Sequence, residues 1–184
     1  LEGHARRRVP GDAAAQAFDA IAYSKGSAVI RMVEASLGET GFRDGIRRYV
    51  RRYAYGNAVT DQLWSELASA TNRPVIDIAR DFTLQPGVPL VKAVAGRCES
   101  GRTRVTLTQG RFETGTPAPV ALTWRIPVVL QAIDSRATAS TLLGKDGAPV
   151  SVEVGGCGPV VVNAGQTGYF RTQYADADLM RIRQ

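Results

Sequence analysis

Histidine is nearly absent: His4 is the single one in 184 residues. A hydrolytic zinc centre held by two histidines and a glutamate therefore cannot be assembled within this sequence. Cysteine is almost as scarce, and the pair present, Cys98 and Cys157, is too small and too widely spaced for a zinc knuckle. No run approaches the roughly 18 consecutive apolar residues of a membrane-spanning helix, and the amino-terminal end lacks the apolar stretch of a signal peptide. No membrane partner is expected, and any targeting signal is expected upstream. The start at Leu1, without a methionine, reads as a chain cut from something longer.

What is present is the composition of an ordinary soluble globular protein, 44% hydrophobic and 22% charged. A net charge of +6 makes an anionic partner worth weighing, so each basic cluster is read separately. Arg6, Arg7 and Arg8 stand beside Pro10 and Gly11 and read as a solvated linker. Arg43, Arg47, Arg48, Arg51 and Arg52 fall on the polar side of a helix, with no aromatic platform among them of the kind single-strand binders use. Nucleic acid is not an expected partner. A basic nucleic-acid-binding module remains an alternative, recognisable by affinity that falls steeply with salt.

Residues 1 to about 17 carry no period and read as a connecting segment, in which His4 is a solvated side chain. From Ile21 the pattern turns helical, with Val29, Ile30, Val33 and Leu37 recurring at three and four residues until Gly38 stops the run. A second helix is expected over Glu39 to Tyr53, its stripe formed by Phe42, Ile46, Tyr49, Val50 and Tyr53. After Gly56-Asn57, Thr60 is the expected N-cap of a third helix that buries Leu63, Trp64, Leu67 and Ala68 and ends at Asn72. Pro74 suits the first position of a fourth, with Val75, Ile78, Ala79 and Phe82 on one side, before Gln85-Pro86-Gly87 ends helical structure.

Beyond Pro89 the period changes to two. Val105 and Leu107, then Trp124, Ile126, Val128 and Leu130, then Val150, Val152 and Val154, alternate with polar neighbours. Val160-Val161-Val162 is a short apolar run, and Phe170, Thr172 and Tyr174 face away from Tyr169, Arg171 and Gln173. Turns are signalled at Glu99-Ser100-Gly101, across Gly115 to Pro119, at Asp146-Gly147 and at Gly155-Gly156. Short strands at this spacing argue for an antiparallel sandwich of about ninety residues, and Pro127 points to an edge or a bulge. The expected class is α+β, divided into a helical part over 1–86, a β-sandwich over 87–175 and the polar opening of a further helix over 176–184. Cys98 and Cys157 lie 59 residues apart. They are either two buried thiols or a disulfide, which the loop-entropy argument values at about 4 kcal/mol. A bond would imply a periplasmic or secreted protein, and free thiols a cytoplasmic one.

One segment resists a purely structural account. Tyr23-Ser24-Lys25-Gly26 sits in the first turn of the first helix. Taken alone, Tyr23 reads as a half-buried aromatic with its hydroxyl on a backbone group, and Gly26 as a place where a neighbouring element approaches closely. The segment nevertheless resembles the catalytic-tyrosine stretch of the zinc aminopeptidases of the aminopeptidase N family, and four further segments agree with that family in order. Gly41 to Tyr49 is similar to its following helix, and Tyr55 to Thr60 with Leu63-Trp64 to its next turn and helix. Gln85 to Pro89 is similar to its exit from the catalytic domain, where an aromatic often replaces Val88, and Asn163 to Arg171 to the strand that closes its sandwich. The set spans about Phe18 to Tyr174.

This resemblance implies the C-terminal part of a thermolysin-like (gluzincin) catalytic domain followed by its sandwich. It implies peptide substrates, and partners in the N-terminal and C-terminal domains that are missing here. It also implies zinc, held by two histidines and a glutamate, with a general-base glutamate and a Gly-x-Met-Glu-Asn segment. None of these elements occurs in the sequence, so no metal or cofactor ligand is assigned. Tyr23 alone carries over, as donor to the oxyanion of the tetrahedral intermediate, while Lys25 and Gly26 match the motif in structural roles and Glu34 and Glu39 match nothing catalytic. The isolated segment is expected to be inactive. A non-catalytic binding or scaffold relative of the same fold is the other reading.

Overall fold

The computed structural model describes residues 20–115 and 121–183. His4, the Arg6 to Arg8 cluster, the connecting segment and Thr116 to Pro119 of one turn stretch lie outside the described residues. The first helix, α1, runs Ala20–Tyr53 and is interrupted at Gly38, whose φ of 77° and ψ of 160° belong to a region only glycine enters at low cost. The two helices expected from the sequence thus meet at that residue. Val29, Met32 and Val33 are buried before the break, and Phe42 and Ile46 pack on the same core after it. Ile30 and Val50, expected on these apolar stripes, are instead 41% and 57% exposed. Ile30 lies one position, about 100° of helical rotation, from buried Val29.

The second helix, α2, is Thr60–Thr71 and the third, α3, is Val75–Leu84. Both expected caps move by one residue. Val59 holds the N-cap position of α2, where its N–H donates to Gln62 Oε1 at 2.8 Å. Pro74 is the N-cap of α3 and not its first residue. Asn72 closes α2 at φ 52°, as its tolerance of the left-handed region allows. Gly45 is what lets α1 and α2 cross closely: a Cβ there would lie 2.6 Å from Leu67 Cδ2 and 2.9 Å from Leu67 Cα. The arginine face of α1 is largely ion-paired. Glu66, 4% exposed, receives Arg52 at 2.8 Å and Arg48 at 3.4 Å, while Arg43 meets Glu39 and Arg47 meets Asp44.

Among the described residues seven strands follow: β1 Pro89–Glu99, β2 Arg102–Arg111, β3 Ile126–Ala132, β4 Thr138–Leu143, β5 Val150–Gly155, β6 Val160–Val162 and β7 Arg171–Tyr174. They form sheets of order β5-β2-β1-β7 and β4-β3-β6, so the α+β class with a sandwich is as expected. One pair departs from the antiparallel expectation, since β7 runs parallel to β1. Pro127 also differs from its expected place, because β3 is the central strand of its sheet. The alternation of the ladder explains the tolerance. The Ala132 N–H goes to Ala137 and the Ile133 N–H to Pro159, so position 127 faces the β6 side, where β6 pairs only with Leu130 to Ala132. A residue without an N–H forfeits no ladder bond there.

Val91, Leu107, Trp124, Ile126, Leu130 and Val154 fill the space between the sheets. Gln109 braces them with its whole amide: Nε2 donates to Trp124 O and Gly144 O, and Oε1 accepts the Trp124 N–H. The helical part is fastened to the sandwich at Asp81, 4% exposed. Its carboxylate accepts the Arg125 backbone N–H and Nη1, both at 2.9 Å, and Lys145 Nζ at 2.8 Å. Cys98 and Cys157 form a disulfide with a Cα–Cα distance of 5.2 Å, which resolves the alternative left open by their spacing. A last helix, α4, Asp176–Ile182, follows β7.

Candidate active site

Tyr23 lies in the first turn of the described part of α1 and is 64% exposed, more open than a half-buried packing aromatic. The helix repeat gives it neighbours. Gly26, Ser27, Ile30, Arg31 and Glu34 follow at alternating intervals of three and one, and all are exposed, while Val29, Met32 and Val33 anchor the opposite side in the core. Tyr23 is therefore held from behind by a buried stripe, which fixes the helix to which its phenol is attached. Lys25 is half-buried. No described atom lies within 4 Å of where a Gly26 Cβ would sit, so the close approach expected at Gly26 is not made by any described element. The glycines that do admit close approach in this helix are Gly41 and Gly45.

The donor set does not fit a zinc ion. Among the described residues no group of three or more His, Cys, Asp or Glu side chains is gathered for a metal, and both cysteines are consumed by the disulfide. What the open face of α1 offers chemically is the Tyr23 phenol with the Ser27 hydroxyl one turn away, followed along the same face by the Arg31 guanidinium and the Glu34 carboxylate. The open face itself was not singled out from the sequence, although the polar and small residues at 26, 27, 31 and 34 are its signal.

A tyrosine on an exposed helical turn specifies no reaction on its own. The family model described as the Peptidase family M1 domain matches residues 7–82, which takes in Tyr23, α1, α2 and most of α3. The helical part is thereby similar to part of a peptidase-family domain. The alanine/arginine aminopeptidase of Saccharomyces cerevisiae is 33% identical over 162 residues, covering 88% of this chain and 18% of its own length. Aminopeptidase M1 of Arabidopsis thaliana is 33% identical over 175 residues, 87% of this chain and 19% of its own. Glutamyl aminopeptidase of Mus musculus is 31% identical over 158 residues, 85% of this chain and 17% of its own. With so much of the chain covered, each likeness extends past residue 82 into the sandwich. Over most of its length the chain is thus similar to a segment of the M1 aminopeptidases, and it spans less than a fifth of the length of these relatives.

Proposed function

We propose that this chain serves an M1 aminopeptidase as the part that supplies the oxyanion-stabilising tyrosine, Tyr23, and no metal ligand. The observation that carries the proposal is the exposure of Tyr23 on a helix whose far side is locked in the core. A donor carried on an anchored helix needs less reorganisation when charge develops on a substrate carbonyl oxygen, so it favours the tetrahedral intermediate over the ground state. Zinc, held by residues outside this sequence, would supply a Lewis acid and an activated water. Substrates are peptides with a free N-terminus, and the partners are the N-terminal and C-terminal domains that the longer relatives imply. The pairing of the arginines on α1 supports the absence of a nucleic-acid role, and no membrane role is assigned. The Cys98–Cys157 bond supports an oxidising compartment, periplasmic or secreted.

The test is Tyr23→Phe in a longer polypeptide that carries this segment behind a His-Glu-x-x-His motif. Losing one oxyanion donor is expected to lower kcat by about 10²–10³ with zinc content unchanged. A variant with undiminished kcat would overturn the assignment and leave the non-catalytic reading of this face. The 184-residue chain alone is expected to bind no stoichiometric zinc and to leave amino-acid anilides intact. Anilide hydrolysis by the pure chain would overturn the division of labour.

A further inference from the structure

The helix α4 is too short to hold itself together. Isolated helices below about 12–15 residues are marginal in water, and α4 has 7. Its order must come from the surface it sits on. Two polar anchors bind it there: Asp178 Oδ2 accepts the Ala95 N–H at 3.0 Å, and Arg181 Nη2 donates to Cys157 O at 3.4 Å. Between the anchors lies a small apolar groove that includes Ala93, Val160 and Val162.

The anchors stand on the two pieces of chain that the disulfide joins. Ala95 is the last residue of β1 before a bulge, where the register against β2 shifts between Ala95 and Cys98. Its N–H is available because β7 pairs with β1 only from Leu90 to Ala93. Cys157 carries the second anchor itself. Its loop has ties of its own: Asp134 Oδ2 accepts the Cys157 and Gly158 N–H groups, and Thr103 Oγ1 donates to Gly156 O. The loop therefore has ties besides the disulfide. What the bond adds to these hydrogen bonds is a covalent tie between that loop and Cys98, which follows the bulge of β1, beside the span that α4 must bridge. Both cysteines are exposed, so a small dithiol in solution can reach them.

We propose that the Cys98–Cys157 bond is a redox latch for α4: oxidised, it holds the two anchor points at the distance the helix needs, and reduced, it releases the helix from the sandwich. The opening step is thiol–disulfide exchange. A dithiol gives up two electrons and two protons and becomes a cyclic disulfide, and the S–S bond of the protein becomes two thiols.

The experiment uses the full 184-residue chain, isotope-labelled, before and after reduction by dithiothreitol, with a mass gain of about 2 Da confirming the dithiol form. The helical fraction of residues 176–182, read from Cα secondary shifts, is expected to fall by about tenfold, towards the coil values of an isolated helix of this length. The shifts of β3 are expected to stay native. Cys98→Ser/Cys157→Ser serves as the permanently open form and is expected to match the reduced protein. Asp178→Ala with the disulfide intact is expected to release α4 as well, and reduction then adds nothing. Helical shifts retained by α4 after reduction and in the double serine variant would overturn the proposal. So would loss of β3 together with α4, which would make the bond a staple of the whole sandwich, or an α4 that stays helical in Asp178→Ala.

Discussion

The helical part and the sandwich finish their surfaces differently. In the helical part, α1 buries Val29, Met32 and Val33 but leaves the side bearing Tyr23, Ser27, Ile30 and Glu34 uncovered. Its polar ties are mostly exposed ion pairs such as Arg43–Glu39 and Arg47–Asp44, a kind of contact that contributes little. The sandwich closes on itself. Gln109 braces β2 against β3 and the end of β4, and Tyr174 accepts the Val162 N–H at 2.8 Å while donating to Val162 O at 3.3 Å. Burial pushes the Tyr174 phenol up, so it stays protonated and able to donate. The disulfide adds a covalent tie. The proposed catalytic tyrosine thus sits on the part with an uncovered face, while the braces made by Gln109 and Tyr174 sit in the part to which no catalytic residue is assigned. This is the separation expected where a scaffold carries stability and a neighbouring surface carries function.

The largest break in this comparison is expected at the clamp between the two parts. Asp81→Ala removes acceptors from Arg125 and Lys145. Losing one member of a buried pair costs about 3–5 kcal/mol. Here the two cations keep 30% and 47% exposure and recover water, so about 2–3 kcal/mol is expected, in line with charge-assisted hydrogen bonds. The two tryptophans report separately, Trp64 on α2 and Trp124 beside β3. With fluorinated tryptophan, the urea midpoint of the Trp64 resonance is expected to fall and part from that of Trp124. If the two midpoints move together, the parts form one cooperative unit and the contrast drawn between them fails.

A smaller effect distinguishes two glycines of α1. Gly45→Ala drives a methyl into Leu67, including its Cα at 2.9 Å. Overpacking costs about 1–3 kcal/mol against about 1 kcal/mol gained in helix propensity, for a net loss of up to about 2 kcal/mol in denaturant unfolding. Gly26→Ala meets no described atom within 4 Å, and is expected to be neutral or to stabilise by up to about 1 kcal/mol. Equal outcomes at the two positions would mean that close packing is not what separates the anchored from the open stretch of α1.

How much of this was legible beforehand follows from the kind of signal each feature leaves. The helices carried stripes and punctuation, Gly38, Asn72 and Pro86-Gly87 among them, and their bounds moved by a residue at most at the caps. The strand β4, Thr138–Leu143, was not singled out, because its alternation is one of exposure among Thr, Ala and Ser and only Leu143 is fully buried. β1 appeared only as a change of period, since Ala93 and Ala95 are weak apolar markers. The Asp81 clamp joins residues 44 and 64 positions apart, and no periodicity records such a pair. Spacing likewise left the disulfide open, because closure depends on where β1 and the Cys157 loop meet in space. At the site, the histidine count alone excluded a complete zinc centre. Tyr23 was found through resemblance, because a lone tyrosine in a helical first turn has no period of its own.

The smallest expected effect tests whether the sandwich owes part of its closure to charge. The exposed Asp134 carboxylate accepts the Ser135 N–H at 2.7 Å, the Gly158 N–H at 2.8 Å and the Cys157 N–H at 3.1 Å. These donors, Ser135 foremost, hold its pKa below the usual carboxylate range against a smaller opposing push from desolvation. A carboxyl group whose pKa is lowered by folding stabilises the fold above the unfolded value, near 4. That stability is lost as pH falls through the lower, folded value. Glu153, lowered by its hydrogen bond and charge contact with Arg104, loses its share in the same acid window, so wild type alone cannot isolate Asp134. The difference in urea midpoint between wild type and Asp134→Asn can, because the asparagine keeps the shape without the charge. That difference is expected to be widest near neutral pH and to shrink steadily as pH falls below about 4. A gap that stays constant from pH 7 to pH 3 would mean that the turn is held by shape alone, and that charge plays no part in how the sandwich closes beside its disulfide.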